Sequence, residues 1–270
     1  MSGKPLNLNV YTAILKEIFK SHYSRGMQSF EFDRDEIRSV AQALGLQVPK
    51  NLGDVVYSFR YRTALPDDIV RTARKGFEWI IEGAGKSKYV VKQVRRNRIL
   101  PREDLLAIKI PDATPEIIAM YAQGDEQALL AKVRYNRLVD VFLGCVAYSL
   151  QNHLRTTVKG MGQIEVDEMY IAVDRFGAQY VIPVQAKTGN DQHSAVQTKQ
   201  DIACCVDKFP HLTCRAVSAQ FANDGVIAMF ELTLDGDDVR VVQERHYRLV
   251  PADSVTPEDL RQYRVHSNPP

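Results

Sequence analysis

The segment that decides the fold is residues 164–187, which read IEVDEMYIAVDRFGAQYVIPVQAK. Two runs rich in β-branched and aromatic residues, 164–173 and 179–187, flank the sequence DRFGA, which is typical of a turn. The pattern therefore predicts a β-hairpin. A three-residue turn between Asp174 and Ala178 would fix which residues of the two strands face each other.

This register would bring four polar side chains together. Asp167 would face Gln185 and Glu165 would face Lys187, and because side chains alternate along a strand, all four share one face. The opposite face is apolar and suited to packing on a helix, and it carries Ile164, Val166, Tyr170, Tyr180, Ile182, Val184 and Ala186. A turn with an even number of residues would place the two polar pairs on opposite faces.

The flanking segments predict a mixed α/β (α+β) domain. An apolar helix is expected over 129–154, before the hairpin. A helix over 194–208, a strand over 212–221 and a second hairpin, 226–234 with 239–250, are expected after it. This order of elements predicts a mixed sheet flanked by helices.

The N-terminal region has a different pattern. The predicted elements are helices over 9–22, over 37–44 and from 51, and strands over 30–32, 77–81 and 89–91. Two helices joined by a short turn containing Gly45, followed by two strands around a basic loop, resemble a winged-helix DNA-binding domain over residues 8–100.

The charge distribution agrees with that resemblance. Residues 1–110 hold 20 Lys and Arg against 12 Asp and Glu, while residues 111–270 hold 15 against 21. A basic region gains affinity for a phosphate backbone by releasing condensed counterions, so double-stranded DNA is the expected partner. The candidate DNA contacts are Lys50, Asn51, Tyr57, Arg60, Arg62, Lys86 and Lys88.

These candidates have different expected roles. Arginine can pair with guanine and asparagine with adenine, so Asn51, Arg60 and Arg62 are expected to read bases. Lys86 and Lys88, in the loop between the two strands, are expected to contact phosphates. A winged-helix-like domain that binds another protein is the alternative.

The polar face of the first hairpin carries a recognisable motif. Asp167 on one strand, followed by Gln185, one spacer and Lys187 on the next, resembles the motif of the PD-(D/E)xK nuclease superfamily, which includes many type II restriction endonucleases. The resemblance covers residues 125–221. It implies that Asp167 is the metal-binding acid, Gln185 the second motif position and Lys187 the catalytic lysine.

Gln185 departs from the family pattern, which most often has Asp or Glu at that position. A neutral amide oxygen can still bind Mg²⁺, and Glu165 could restore the missing negative charge. The expected site therefore has Asp167, Gln185, Lys187 and Glu165 as catalytic residues, with Asp167, Gln185 and Glu165 holding Mg²⁺. Hydrolysis of a phosphodiester needs such an ion to stabilise developing charge and to activate water.

The resulting hypothesis is a Mg²⁺-dependent, site-specific DNA endonuclease of the restriction type, acting as a homodimer because two strands are cut. The alternative is a DNA-binding regulator or scaffold with an inactive nuclease-like domain, which the neutral Gln185 favours. A surface ion-pair lattice and a nuclease for RNA or modified DNA also remain open. Weaker candidates for substrate contact are His153, Arg155, His193, Gln197 and Gln200.

The predicted organisation is a winged-helix-like domain over 1–100, a proline-containing linker over 101–115 and a restriction-endonuclease-like domain over 116–270. No stretch has the length of uncharged apolar residues that a membrane span needs, and no secretory signal is evident. The four cysteines lack metal-site spacing and are expected to be reduced and buried. A cytoplasmic protein of a prokaryotic cell is expected.

Overall fold

The computed structural model describes residues 6–61, 63–95, 99–121, 126–188, 195–222, 224–236 and 238–267. The chain divides into two compact units, one of residues 1–97 with 157–164 and one of residues 98–156 with 165–270. Each unit contains both helices and strands. None of the helices in the described ranges is long and apolar enough to cross a membrane.

The first unit contains helices and a small sheet. Its elements are α1 (Leu6–His22), β1 (Ser29–Asp33), α2 (Glu36–Ala43), α3 (Gly53–Tyr61), α4 (Asp67–Val70), β2 (Phe77–Gly83) and β3 (Lys88–Arg95). The strands form an antiparallel sheet in the order β1-β3-β2. The predicted helices and strands are present here, although α3 begins at Gly53 rather than at residue 51 and α4 was not predicted.

The core of the first unit follows the predicted periodicity. Apolar residues of α1 at helical spacing are buried against the other helices and the sheet; they include Ile14, Leu15, Ile18 and Phe19. Glu36 Oε1 accepts a hydrogen bond from the Asp33 backbone N–H at 2.7 Å, which is one half of a capping box at the beginning of α2. Gly45 has a φ of 65°, the left-handed conformation that ends a helix at little cost.

The second unit is built on one large mixed sheet flanked by helices. Its elements are β4 (Ala107–Pro111), α5 (Glu116–Tyr121), α6 (Glu126–Tyr135), α7 (Leu138–Leu143), β5 (Val146–Val158), β6 (Gly162–Val173), β7 (Gln179–Thr188), α8 (Ala195–Lys208), β8 (Thr213–Cys214), β9 (Ala216–Phe221), β10 (Val226–Asp235), β11 (Asp238–Val250), a 3-10 turn (Ala252–Ser254) and α9 (Pro257–Ser267). The strand order is β4-β11-β10-β9-β7-β6-β5, with β8 paired to β7. Residues 157–158 of β5 and 162–164 of β6 belong to the first compact unit. β7 is parallel to β9 and antiparallel to β6, so the strands beside β7 run in both directions.

The predicted hairpin and its register are confirmed. β6 and β7 pair with Glu168 opposite Val184 and Val173 opposite Gln179, which is the register that a three-residue turn requires. The Asp174 backbone N–H donates to the Ala178 carbonyl at 3.0 Å. The predicted apolar face packs against α6 and α7 in a core that includes Leu129, Val133, Phe142, Tyr170, Ile182, Val184 and Ala186.

The single helix predicted over 129–154 is wrong. The segment forms α6, α7 and the first part of β5, because Arg137 and Gly144 adopt left-handed backbone with φ of 50° and 65° and end each helix. Apolar spacing alone does not separate a buried helix from the start of a strand. His153 and Arg155 therefore lie on β5, the neighbour of β6.

The linker predicted over 101–115 is also wrong in part. It contains β4, which pairs in parallel with β11 at the edge of the large sheet. Pro111 is the last residue of β4, and an edge strand tolerates proline because its outer N–H groups have no ladder partner. The Lys109 backbone N–H donates to the Tyr263 hydroxyl of α9 at 2.9 Å, so α9 covers part of this edge.

Candidate functional site

Asp167 lies in the middle of β6, next to Glu168, where the pairing of β6 with β7 ends on the side remote from the turn. Its Oδ2 accepts a hydrogen bond from the Ala186 backbone N–H at 3.2 Å. Burial raises the pKa of Asp167, and this effect outweighs the opposing attraction of the Lys187 ammonium. The carboxyl group is therefore a half-buried acid whose charge is stabilised mainly by Lys187 and by one peptide dipole.

Gln185 lies on β7, beside Asp167 of β6, and its side chain contacts α8. Its side chain is only 2 % exposed. Nε2 donates to Asp201 Oδ2 at 2.6 Å and lies 3.4 Å from Thr198 Oγ1. These contacts fix the amide group, so its carbonyl oxygen, Oε1, has a defined direction.

Asp201 is the acid that the sequence analysis missed. It is 1 % exposed, and burial raises its pKa well above the ordinary carboxyl value. Gln185 and Lys187 oppose that rise, while the nearby charge of Asp167 adds to it. The helical spacing of Asp201 from Thr198, Cys204 and Cys205 was the available signal, because it places a carboxyl group on the buried stripe of α8.

Lys187 has a different partner from the one predicted. Its Nζ lies 3.1 Å from Glu126 Oε1 at the beginning of α6, and its side chain is 14 % exposed. The expected pair with Glu165 across the hairpin is not formed. Glu126 precedes the predicted helix over 129–154, so the sequence pattern did not connect it with the site.

Glu165 contacts β5 instead of β7. Its carboxylate oxygens lie 3.2 Å from His153 Nδ1 and 3.1 Å from Arg155 Nε. Partial burial would raise the pKa of Glu165, but the hydrogen bonds from Arg155 and His153 outweigh burial and the pKa lies below its usual value. Glu165 therefore contacts two basic side chains of β5, Arg155 and His153, rather than extending the cluster at Asp167.

The cluster of Asp167, Gln185, Asp201 and Lys187 offers oxygen ligands for a hard cation from an amide as well as from its two acids. Within the described ranges, no three His, Cys, Asp or Glu residues lie together as a metal site would require. However, Gln185 Oε1 and Asp201 Oδ1 are buried and accept no hydrogen bond from any described residue. Buried acceptors without a donor are costly, and together with the Asp167 carboxylate they are the oxygen ligands that Mg²⁺ prefers.

The structure places most of the predicted DNA contacts on the surface of the first unit. Lys50, Asn51, Tyr57, Lys86 and Lys88 are exposed and Arg60 is half-buried, whereas Arg62 lies outside the described residues. Lys86 and Lys88 flank Ser87, whose φ is 60°, at the tip of the β2–β3 turn.

Asn51 has a structural role at the beginning of α3. Its Oδ1 accepts hydrogen bonds from the Gly53 backbone N–H at 3.1 Å and from Arg34 at 2.9 Å. Its Nδ2 donates to Asp54 at 2.8 Å. Both ends of the amide are engaged, so base reading by Asn51 would require these contacts to break.

Among the weaker candidates, Gln200 is buried and Gln197 half-buried on α8, and His193 lies outside the described residues. Comparisons with models of protein families, with curated proteins and with solved structures give no match for the chain. The residues of the cluster themselves therefore have to indicate its chemistry. The buried carboxyl group of Asp201, the half-buried one of Asp167, an oriented amide oxygen and a lysine are groups that bind a hard cation and a phosphate.

Proposed function

We propose that the chain is a Mg²⁺-dependent, site-specific DNA endonuclease of the restriction type. Its second unit would have the restriction-endonuclease-like fold of the PD-(D/E)xK superfamily. The observation that carries the proposal is the convergence of Asp167, Gln185 and Asp201 beside Lys187, with two buried oxygens that accept no hydrogen bond from the described residues. Such a group of oxygens is costly to bury unless a cation binds there.

Asp167, Asp201 and Gln185 Oε1 would hold the ion. When bound, Mg²⁺ would stabilise negative charge on the phosphoryl oxygens and make a bound water more acidic. Asp201 would supply the charge that Gln185 lacks, which is the role that the sequence analysis gave to Glu165. Because Asp201 also orients Gln185 through a 2.6 Å hydrogen bond, it would both bind and position.

Lys187 would act on the substrate rather than on the ion. Its ammonium group is held by Glu126 at 3.1 Å and lies close enough to Asp167 to oppose the rise in that residue's pKa. A cation held there would contact a phosphate oxygen and orient the attacking water. Its low exposure means that little solvent competes for these contacts.

The first unit would bind double-stranded DNA as a winged-helix domain. The order α1-β1-α2-α3-α4-β2-β3, the three-stranded antiparallel sheet and the exposed Lys86 and Lys88 support this assignment. Lys50, Tyr57 and Arg60 would contact DNA from α3 and its start. A homodimer would supply the two sites that cleavage of both strands needs.

The decisive test is incubation of the purified chain with long, unmodified phage DNA in Mg²⁺ and in EDTA, followed by gel electrophoresis. Discrete fragments that require Mg²⁺ are expected from the wild type, and Lys187→Ala should bind DNA without cutting it. Cleavage by Lys187→Ala at the wild-type rate would refute the catalytic assignment. The nuclease is excluded if unmodified DNA, methylated DNA and RNA are all shifted in mobility and none of them is cut.

That last result would support the second candidate, a DNA-binding regulator or scaffold. The feature that favours it is the neutral Gln185, whose amide is occupied by Asp201. The raised pKa values of Asp167 and Asp201, both caused first by burial, point the same way because they reduce the negative charge of the cluster.

A further inference from the structure

The strand β5 changes face between Ser149 and His153. Ser149 Oγ donates to Glu168 at 2.8 Å, whereas His153 and Arg155 contact Glu165. Glu165 and Glu168 differ by an odd number of positions on β6, so their side chains lie on opposite faces. Ser149, His153 and Arg155 are separated by even numbers of positions, so a regular β5 would place all three side chains on one face. The alternation of side chains along β5 is therefore broken before His153.

The break coincides with an unusual backbone conformation. His153 has a φ of 48°, in the left-handed region that non-glycine residues seldom adopt. Irregularities of this kind redirect side chains and are common beside functional sites. Here the break brings His153 and Arg155 to the face that carries Glu165 and, two residues further along β6, Asp167.

Glu165 then orients both side chains. Its oxygens contact His153 Nδ1 and Arg155 Nε, which leaves the imidazole Nε2 and the terminal guanidinium nitrogens outside these two contacts. The side chains of His153 and Arg155 are 52 % and 70 % exposed. A guanidinium held in this way presents two parallel N–H groups, the geometry that matches a phosphate.

We propose that Arg155 and His153 form a binding site for a backbone phosphate of the nucleic acid, beside the phosphate that reacts. The inference rests on the proposed function and adds the second unit's own contact with the substrate backbone. Glu165 is a positioning residue in this site. Because Glu165 already restricts the side chains of His153 and Arg155, they lose less conformational freedom when a phosphate binds.

The test measures DNA binding in EDTA as a function of salt concentration, for the wild type, Arg155→Gln, Arg155→Lys and His153→Asn. Loss of one phosphate contact should lower the slope of log affinity against log salt by about 0.9 and the affinity about tenfold in Arg155→Gln. Arg155→Lys should keep the slope, because it keeps the charge. His153→Asn should lower the affinity roughly threefold, because the imidazole contact is lost. The effect stays small because asparagine accepts a positive φ, so the backbone of β5 is preserved.

Arg175→Gln is the matched control, because Arg175 is an exposed arginine of the same unit, in the turn between β6 and β7. It should bind as the wild type does. An unchanged slope in Arg155→Gln, or an equal loss in Arg175→Gln, would overturn the inference. Wild-type binding without cleavage, combined with the Arg155→Gln loss, would refute the endonuclease and leave the phosphate site standing; a wild type that binds no DNA would refute both.

Discussion

At the scale of single residues, Asp201 connects the site to the stability of the fold. Burial raises its pKa well above the ordinary carboxyl value, so the folded chain binds a proton there more tightly than the unfolded chain does. The free energy of unfolding therefore falls as pH rises above the unfolded value, until the folded pKa is passed. Near neutral pH, the buried Asp201 therefore lowers the free energy of unfolding.

Asp201→Asn tests this directly. The amide has the same shape and can still accept the Gln185 hydrogen bond, but it never becomes charged. We expect Asp201→Asn to have a higher Tm than the wild type at pH 8 and a similar Tm at pH 4, measured by thermal unfolding in EDTA. Asp207→Asn, which changes an exposed acid of the same helix, is the control. Equal pH dependence in Asp201→Asn and wild type would contradict the assignment.

Binding of Mg²⁺ distinguishes the two possible sets of ligands. A ligand present at one hundred times its dissociation constant stabilises the folded state by about 2.7 kcal/mol, so saturating Mg²⁺ should raise the wild-type Tm by several degrees. The rise should disappear in Asp167→Asn and in Asp201→Asn. It should persist in Glu165→Gln, because Glu165 contacts His153 and Arg155 instead. If Mg²⁺ fails to raise the Tm of Glu165→Gln, the result would instead support the ligand set expected from the sequence, which includes Glu165.

The sequence predicted part of this site and missed part of it for identifiable reasons. The positions of Asp167, Gln185 and Lys187 on one hairpin followed from strand alternation and the turn length. The partners of Glu165 and Lys187 did not, because they come from β5 and the first turn of α6, and both lie in or beside the segment predicted as one helix. Contacts between elements depend on packing, which alternation within one hairpin does not specify.

At the scale of secondary-structure elements, an ion pair with a buried acid joins α6 to the sheet. Glu168 of β6 is fully buried, and its Oε1 accepts hydrogen bonds from the half-buried Arg134 Nε at 2.7 Å and from Ser149 Oγ at 2.8 Å. Removing one partner of such a pair leaves the buried acid without its main hydrogen-bond donor. Since α6 also carries Glu126, the pair helps to determine where Lys187 is held.

Removing Arg134 should therefore be costly. We expect Arg134→Ala to lower the free energy of unfolding by about 3 to 5 kcal/mol, because it leaves a buried carboxylate without its cation. Glu168→Gln, which keeps the size and one acceptor, should cost less. Arg261→Ala removes an exposed arginine paired with Glu258 on α9 and should cost less than about 1 kcal/mol. Urea unfolding of the three variants measures these differences, and similar costs for Arg134→Ala and Arg261→Ala would refute the structural role.

The same region shows where prediction of the fold stopped. The hairpin over 164–187 was predicted with its register because strand length, turn length and the apolar face all agreed. Between 129 and 154 the apolar spacing fitted one long helix, and the break at Arg137 had no sequence signal because arginine seldom adopts positive φ. β4 was missed because its five residues lie in a proline-containing segment and its pairing with β11 joins residues far apart in the chain.

At the scale of the whole molecule, the charge is divided between the two parts of the chain that the proposal assigns to different tasks. Residues 1–110 are basic, whereas residues 111–270 hold more acids than bases. Binding energy from the basic part would offset the repulsion between DNA and the acidic part. The acids of the second unit can then be used for the ion without being needed for affinity.

The proposed activity also determines how many chains are needed to cut both strands of DNA. If the chain is the proposed nuclease, the one cluster at Asp167 within the described residues means that a double-strand break in one binding event would need two chains. If wild type and Lys187→Ala are mixed in equal amounts and exchange freely, roughly half of the dimers carry one active site. Such dimers cut one strand of a supercoiled plasmid. We expect nicked circles in excess over linear DNA from the mixture, compared with wild type diluted to the same active concentration. A product ratio identical to that of the diluted wild type would mean that a single chain cuts both strands in turn.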